Sequence, residues 1–177
     1  MENAFSKKRN HGTFSWADLA NVKEGRGSLG MDMPVQVYRL MQYTLLDVLT
    51  RDFGREKADY YIREAGRLAG TEFARNILDL TVDMDTFIAS LQKTLADLHV
   101  GILRIESISR NADDITMTVA EDLDCSGLPV TGENVCSYDE GFIAGILGLY
   151  TGKPYSVTEI DCWASGDRVC RFKCKVA

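Results

Sequence analysis

The sequence predicts an α+β domain with an antiparallel sheet of about four or five strands covered by helices. Three observations carry this. Between residues 34 and 98, apolar residues recur at three- and four-residue spacing, the period of helices. From residue 101 the period drops to two, as in strands. A glycine-faced helical stretch then precedes two last strands.

The elements follow in order. Residues 1–12 read as a mobile polar tail carrying Lys7, Lys8 and Arg9, and residues 13–177 as a single domain. TFSWADLANV leaves a short strand open, and GRGSLG has the spacing G-x-G-x-x-G without the strand–turn–helix setting of a phosphate loop. A first long helix starts at Pro34, with Val35, Tyr38, Met41, Leu45, Leu49 and Phe53 as a core stripe and Gly54 at its end. A second runs from about Arg55 to Leu78 on Ala58, Tyr61, Ile62, Ala65, Ala69 and Phe73, with Gly66 and Gly70 four apart. A third follows Asp83, striped by Phe87, Ile88, Leu91, Leu95 and Leu98.

Residues 101–110 and 113–121 then read as a hairpin, and the Gly- and Pro-containing stretch DLDCSGLPVTGENV as a loop. The helix at 138–151 begins with a capping box, Ser137 and Glu140. Its glycines, Gly141, Gly145, Gly148 and Gly152, share one face. Each interior glycine costs about 1 kcal/mol relative to alanine, so that face needs a close packing partner. KPYSVTEIDCW and RVCRFKCKV are the last two strands.

Composition bounds the function. The 177 residues suffice for an ordinary core, and 45% apolar with 26% charged residues match a soluble globular protein. The net charge of −6 argues against non-specific nucleic-acid binding and gives no support for an anionic membrane surface. The start, MENAFSKKRNHG, has no apolar signal segment, and the apolar run GFIAGILGLY is too short to span a bilayer. The expected location is the cytoplasm, where structural disulfides are uncommon. Five cysteines is also an odd number.

Cys162, Cys170 and Cys174 lie close together in sequence. Cys170 and Cys174 share a strand face but stand about 13 Å apart at roughly 3.3 Å per residue, too far for one metal ion or a disulfide. Cys162 and Cys170 can face each other across the hairpin. Cys174 then reads as a buried apolar residue. Zinc usually takes four ligands. Cys136, at a helix start whose dipole favours a thiolate, and Glu159 are the further candidates. Odd spacing puts Glu159 and Cys162 on opposite strand faces unless the strand bulges or ends there. Periodicity does not choose Glu159 over Asp161.

The stretch CSYDEGFIAGILGLYTGKPYSVTEIDCWASGDRVCRF, residues 136–172, resembles the 4-vinyl reductase domain family: a cysteine, a G-x-x-x-G helix, E-x-x-C, a G-D turn and C-x-F. The resemblance extends over roughly residues 25–175, with a core motif at 115–175. It implies a fold similar to the nitric-oxide-signalling and Golgi-transport ligand-binding domains. It also implies a structural zinc held by Cys136, Glu159, Cys162 and Cys170, as in the sensory domains of phenol-responsive regulators. By the resemblance Cys125 and Cys174 lie outside the site, Cys125 being at most a substitute ligand.

The implied function is a stand-alone sensor or carrier for a small apolar or aromatic ligand, acting as a homodimer with a possible signalling partner. The glycine helix or the first long helix would supply the twofold interface. Phe87, Leu91, Ile115, Met117, Phe142 and Trp163 are the candidate pocket residues. The histidine that phenol sensors use has no equivalent, since only His11 and His99 are present. This disfavours phenol and leaves a more apolar molecule or an acid. The alternatives are a tetrapyrrole vinyl-reductase-type enzyme or accessory factor, and an interaction subunit with no small ligand. A filled interior would favour the last.

Overall fold

The computed structural model describes residues 14–177. The expected tail, residues 1–12, lies outside them. The chain divides into two compact units, residues 1–33 and 34–177, where the sequence reading placed its boundary after residue 12.

In the first unit, Trp16–Leu19 form a 3₁₀ turn and Val22–Gly25 a single helical turn, α1. The strand left open for TFSWADLANV does not form. Local side chains hold the turns instead: Asp18 Oδ2 accepts from the Ser15 N–H at 2.9 Å, and Asn21 Oδ1 from the Glu24 N–H at 3.3 Å. Such short polar side chains compete with extended pairing.

The second unit contains helices α2 (Val35–Phe53), α3 (Arg55–Ile77) and α4 (Met84–Asp97), then β1 (Ile102–Ile108), β2 (Asp114–Ala120), α5 (Ser137–Thr151), β3 (Tyr155–Asp161) and β4 (Cys170–Val176). The four strands form one antiparallel sheet in the order β1-β2-β4-β3. It is the expected α+β class. α5 packs on β3 and α3, and α4 on β1. Phe87, Ile115, Met117, Ile146 and Phe172 are the large side chains at the centre of the core. Among the described residues no helix is long and apolar enough to cross a membrane.

The glycine face of α5 finds its partner in α3. A Cβ at Gly141 would lie 1.9 Å from the Arg63 carbonyl oxygen, and one at Gly145 2.2 Å from that of Arg67. The fit is reciprocal, because a Cβ at Gly66 would meet the Tyr138 carbonyl at 2.1 Å and one at Gly70 that of Phe142 at 2.0 Å. Glycine is required at these crossings because two helix backbones touch.

Two local expectations are corrected. The stripe predicted to bury α2 does not reach the core: α2 has no buried residue, and Met41 is 59% and Phe53 52% exposed. Only Tyr38 and Leu49 of that stripe are half-buried. The capping box at α5 also does not form. Cys136, not Ser137, is the N-cap, and no side chain caps the helix. Glu140 is drawn away by stronger partners. Its Oε2 accepts from Arg63 Nε at 2.7 Å and its Oε1 from the Glu159 N–H at 2.8 Å.

Candidate functional site

Four elements converge at one end of the sheet. Cys170 opens β4 opposite Val119 of β2. Cys162 follows β3 in extended conformation at the start of the 3₁₀ turn Trp163–Ser165. Its N–H donates to Ser165 Oγ at 3.1 Å, and the Asp167 N–H donates back to its carbonyl at 3.0 Å. Cys136 sits at the N-cap of α5. Cys125 comes from the loop after β2, where Asp122 Oδ1 accepts from the Asp124 N–H at 2.8 Å and the Cys125 N–H at 3.1 Å.

The sulfurs of Cys125, Cys136, Cys162 and Cys170 all lie within 4.8 Å of one another. Cys136 Sγ is 3.8 Å from both Cys162 Sγ and Cys170 Sγ, and Cys125 Sγ is 3.0 Å from Cys170 Sγ. A tetrahedral zinc with Zn–S bonds of about 2.3 Å has sulfur–sulfur edges of about 3.8 Å. Two measured edges have that length, and the shorter pair needs to open by less than an ångström. The donor set therefore fits a closed four-thiolate metal centre. Its sulfurs are electrostatically unequal. Hydrogen bonds from Cys125, Cys136 and Cys170 pull the Cys162 thiol far down, so it carries the negative charge. Contacts with Cys125 and Cys162 push Cys136 and Cys170 up.

Glu159 stands beside this group. The register of β3 slips between Glu159 and Asp161, a bulge of the kind that lets an odd spacing share one side. Glu159 Oε2 accepts from the Cys136 N–H at 3.1 Å, while Oε1 is buried without a hydrogen-bond partner. Burial pushes its carboxyl up to about 8. Cys174 is fully buried between Ile115 and Val157 of the flanking strands and is outside the cluster.

The Cys125 loop is fastened from outside by one face of α2. Tyr38 Oη donates to Asp124 Oδ1 at 2.8 Å and Gln42 Nε2 to Asp124 Oδ2 at 2.7 Å. Arg39 Nε donates to the Leu123 carbonyl at 2.7 Å, and Tyr43 Oη to that of Asp124 at 3.0 Å.

Next to the cluster lies an apolar cavity of about 30 Å³ between α4, β1, β2 and α5, room for one or two water-sized groups. Leu91, Met117 and Phe142 line it, as do Asp122 and Asp139. The other sequence candidates sit elsewhere. Phe87 stacks on Tyr150 with ring centroids 3.7 Å apart, Ile115 is in the core of the sheet, and Trp163 Nε1 donates to the Leu128 carbonyl at 3.0 Å. His99 is exposed after α4. Sequence reasoning missed both aspartates. Asp139, seen only as a charge on the helix dipole, has an Oδ2 buried without a hydrogen-bond partner. Asp122 is pushed up to about 7, chiefly by burial and then by Asp124.

Comparison with known proteins agrees with this architecture. A vinyl-4-reductase family protein from Methanocaldococcus jannaschii superposes with a TM-score of 0.58 at 16% identity, over 84% of this chain and 85% of that one. The phenol-responsive sensory domain of the transcription activator PoxR, with phenol, gives 0.59 at 16% identity, over 85% and 78%. A trafficking protein particle complex subunit 3 from Naegleria fowleri, covalently bound to palmitic acid, gives 0.63 at 11% identity, over 81% and 95%. At these identities the likeness is one of fold. Residues 115–176 match the 4-vinyl reductase domain family, so the segment that carries β2, α5, the terminal hairpin and all five cysteines is a domain of that family.

Proposed function

We propose that this is a small-molecule-binding sensor or carrier domain of the cytoplasm whose metal centre is structural. The observation that carries the reading is the apolar cavity bordered by buried carboxylates beside the four-cysteine cluster. Sites of this kind have apolar walls and few, placed polar groups. The phenol-bound PoxR domain of similar fold supports it.

The metal is zinc, held by Cys136, Cys162, Cys170 and Cys125. Glu159, which the family resemblance assigns as the fourth ligand, instead orients Cys136 through its backbone N–H. When bound, zinc supplies a fixed crosslink and no open position for chemistry. It ties the start of α5 to the terminal hairpin and to the Cys125 loop, so three walls near the cavity move together.

The domain acts as a homodimer with a signalling partner. The glycine face of α5 is occupied by α3, which leaves α2. Its outer face carries Val37, Leu40, Met41 and Val48, exposed by 51, 67, 59 and 41%. The interaction-subunit reading is favoured by one observation, the nearly filled interior. Native mass spectrometry of gently purified protein separates the two. A dimer carrying one zinc and one small-molecule adduct per chain is expected. A zinc-bearing chain that never carries or takes up a small molecule supports the interaction subunit.

A further inference from the structure

We propose that the cavity selects a small organic amine, with its ammonium group between Asp122 and Asp139. This rests on the ligand-binding reading above and names the ligand's chemistry. The cavity is lined by Leu91, Leu95, Leu103, Met117, Ile146 and other apolar side chains, with Asp122 and Asp139 as its only ionisable members. Asp139 Oδ2 is buried and has no hydrogen-bond partner. A buried oxygen of this kind is costly unless a donor reaches it. Asp122 cannot serve, since it is itself held as an acceptor by the Asp124 and Cys125 N–H groups.

The lining decides between head groups. An acid finds no Lys, Arg or His in the wall to receive it. A hydrocarbon leaves Asp139 Oδ2 unsatisfied. An alcohol supplies one donor and no charge. An ammonium supplies three donors and a positive charge, and charge-assisted hydrogen bonds are roughly twice as strong as neutral ones. Asp122, Cys136 and Asp139 also present ligand atoms within 4.8 Å of one another, enough for a metal. That use would leave the remaining coordination positions facing the apolar wall. The volume of about 30 Å³ admits the head group, and the short body enters as flexible Leu91, Leu95 and Met117 side chains shift.

The test uses the full-length zinc-loaded protein and four probes of similar size: n-butylamine, n-butanol, butyrate and benzene. Binding is read by calorimetry and by methyl shifts of the cavity leucines. Butylamine should bind at least about tenfold more tightly than butanol, and butyrate not at all. Asp139→Asn, which keeps the side-chain volume, should remove that advantage and leave butanol binding within about twofold. Equal or tighter binding of butanol or butyrate overturns the amine assignment. So does a second equivalent of zinc that binds the wild type, is lost in Asp139→Asn and is not displaced by butylamine. If benzene binds and butylamine does not, the amine assignment falls and the ligand-binding reading stands. If no probe binds, both fall. The wild-type ranking tests the assignment even if Asp139→Asn fails to fold.

Discussion

Tyr38 and Asp124 are joined across 86 positions of sequence by a 2.8 Å hydrogen bond from the phenol to the carboxylate. It links the outer helix α2 to the loop that presents Cys125. Asp124 is almost fully buried, and burial pushes its carboxyl up while the Tyr38 and Gln42 hydrogen bonds pull it down. Tyr38→Phe removes one of those donors and leaves the packing of the ring. The expected loss is about 1–2 kcal/mol, read by urea denaturation, with faster amide exchange in residues 122–126. Tyr60→Phe, at a position 54% exposed, should change stability by less than about 0.5 kcal/mol. Equal effects would show that the bond does not hold the loop.

The α3–α5 crossing predicts a sharp contrast between neighbouring glycines. At Gly145 an added Cβ would sit 2.2 Å from the Arg67 carbonyl oxygen and 2.7 Å from the Thr71 nitrogen. Gly145→Ala forces two backbones apart and should cost about 3 kcal/mol, at the upper end of overpacking effects. At Gly148 the nearest atom is 3.5 Å away. Gly148→Ala should stabilise by up to about 1 kcal/mol through helix propensity. Thermal unfolding of the two variants decides it, and a stable Gly145→Ala protein would contradict the close packing.

The contrast explains what was legible in the sequence. Glycines spaced at four on two helices announce a backbone crossing, and alternation announces strands, because both are local periodicities. Cys136, Cys162 and Cys170 were found through a motif whose parts lie within 37 residues, 136–172. Cys125 was set outside the site because a loop of mixed Gly, Pro and polar residues has no period to orient it. Its place beside Cys170 depends on Tyr38, Arg39, Gln42 and Tyr43, more than 80 residues away. The capping box failed for a similar reason. Arg63 and the Glu159 N–H, both distant in sequence, claim the Glu140 carboxylate. The α2 stripe reads as core because a helix face built for a loop or a partner has the same period as one built for an interior.

The buried aspartates predict the pH dependence of metal-free protein. Asp122 is raised from 3.8 to about 7 in the folded state, chiefly by burial. Asp124 and Asp139 are raised in the same direction by the same cause. The folded chain therefore keeps protons that the unfolded chain has released between about pH 4 and 7. Stability falls as pH rises through that window and levels off above it. Asp122→Asn keeps an acceptor for the Asp124 and Cys125 N–H groups and should flatten the curve. Urea unfolding of chelator-treated protein from pH 4.5 to 7.5 measures this. Stability that rises with pH across that range would rule the account out.

The metal centre can be counted ligand by ligand. Cobalt(II) replaces zinc in thiolate sites, and its sulfur-to-metal charge-transfer absorption grows with the number of thiolates bound. Four thiolates are expected in the wild type. Cys125→Ser and Cys162→Ser should each lower that absorption by about a quarter, the share of one ligand in four. Glu159→Gln should leave the intensity unchanged, because the carboxylate acts on the Cys136 N–H. Cys174→Ser, buried between β2 and β3 partners, should alter neither the spectrum nor metal content. Cys162→Ser should also lower thermal stability more than Cys174→Ser does, because it loosens the hairpin and the start of α5 together. Loss of intensity in Glu159→Gln with none in Cys125→Ser would make Glu159 the fourth ligand. Equal stability losses at Cys162 and Cys174, or protein prepared without chelator that contains no zinc, would remove the metal assignment altogether.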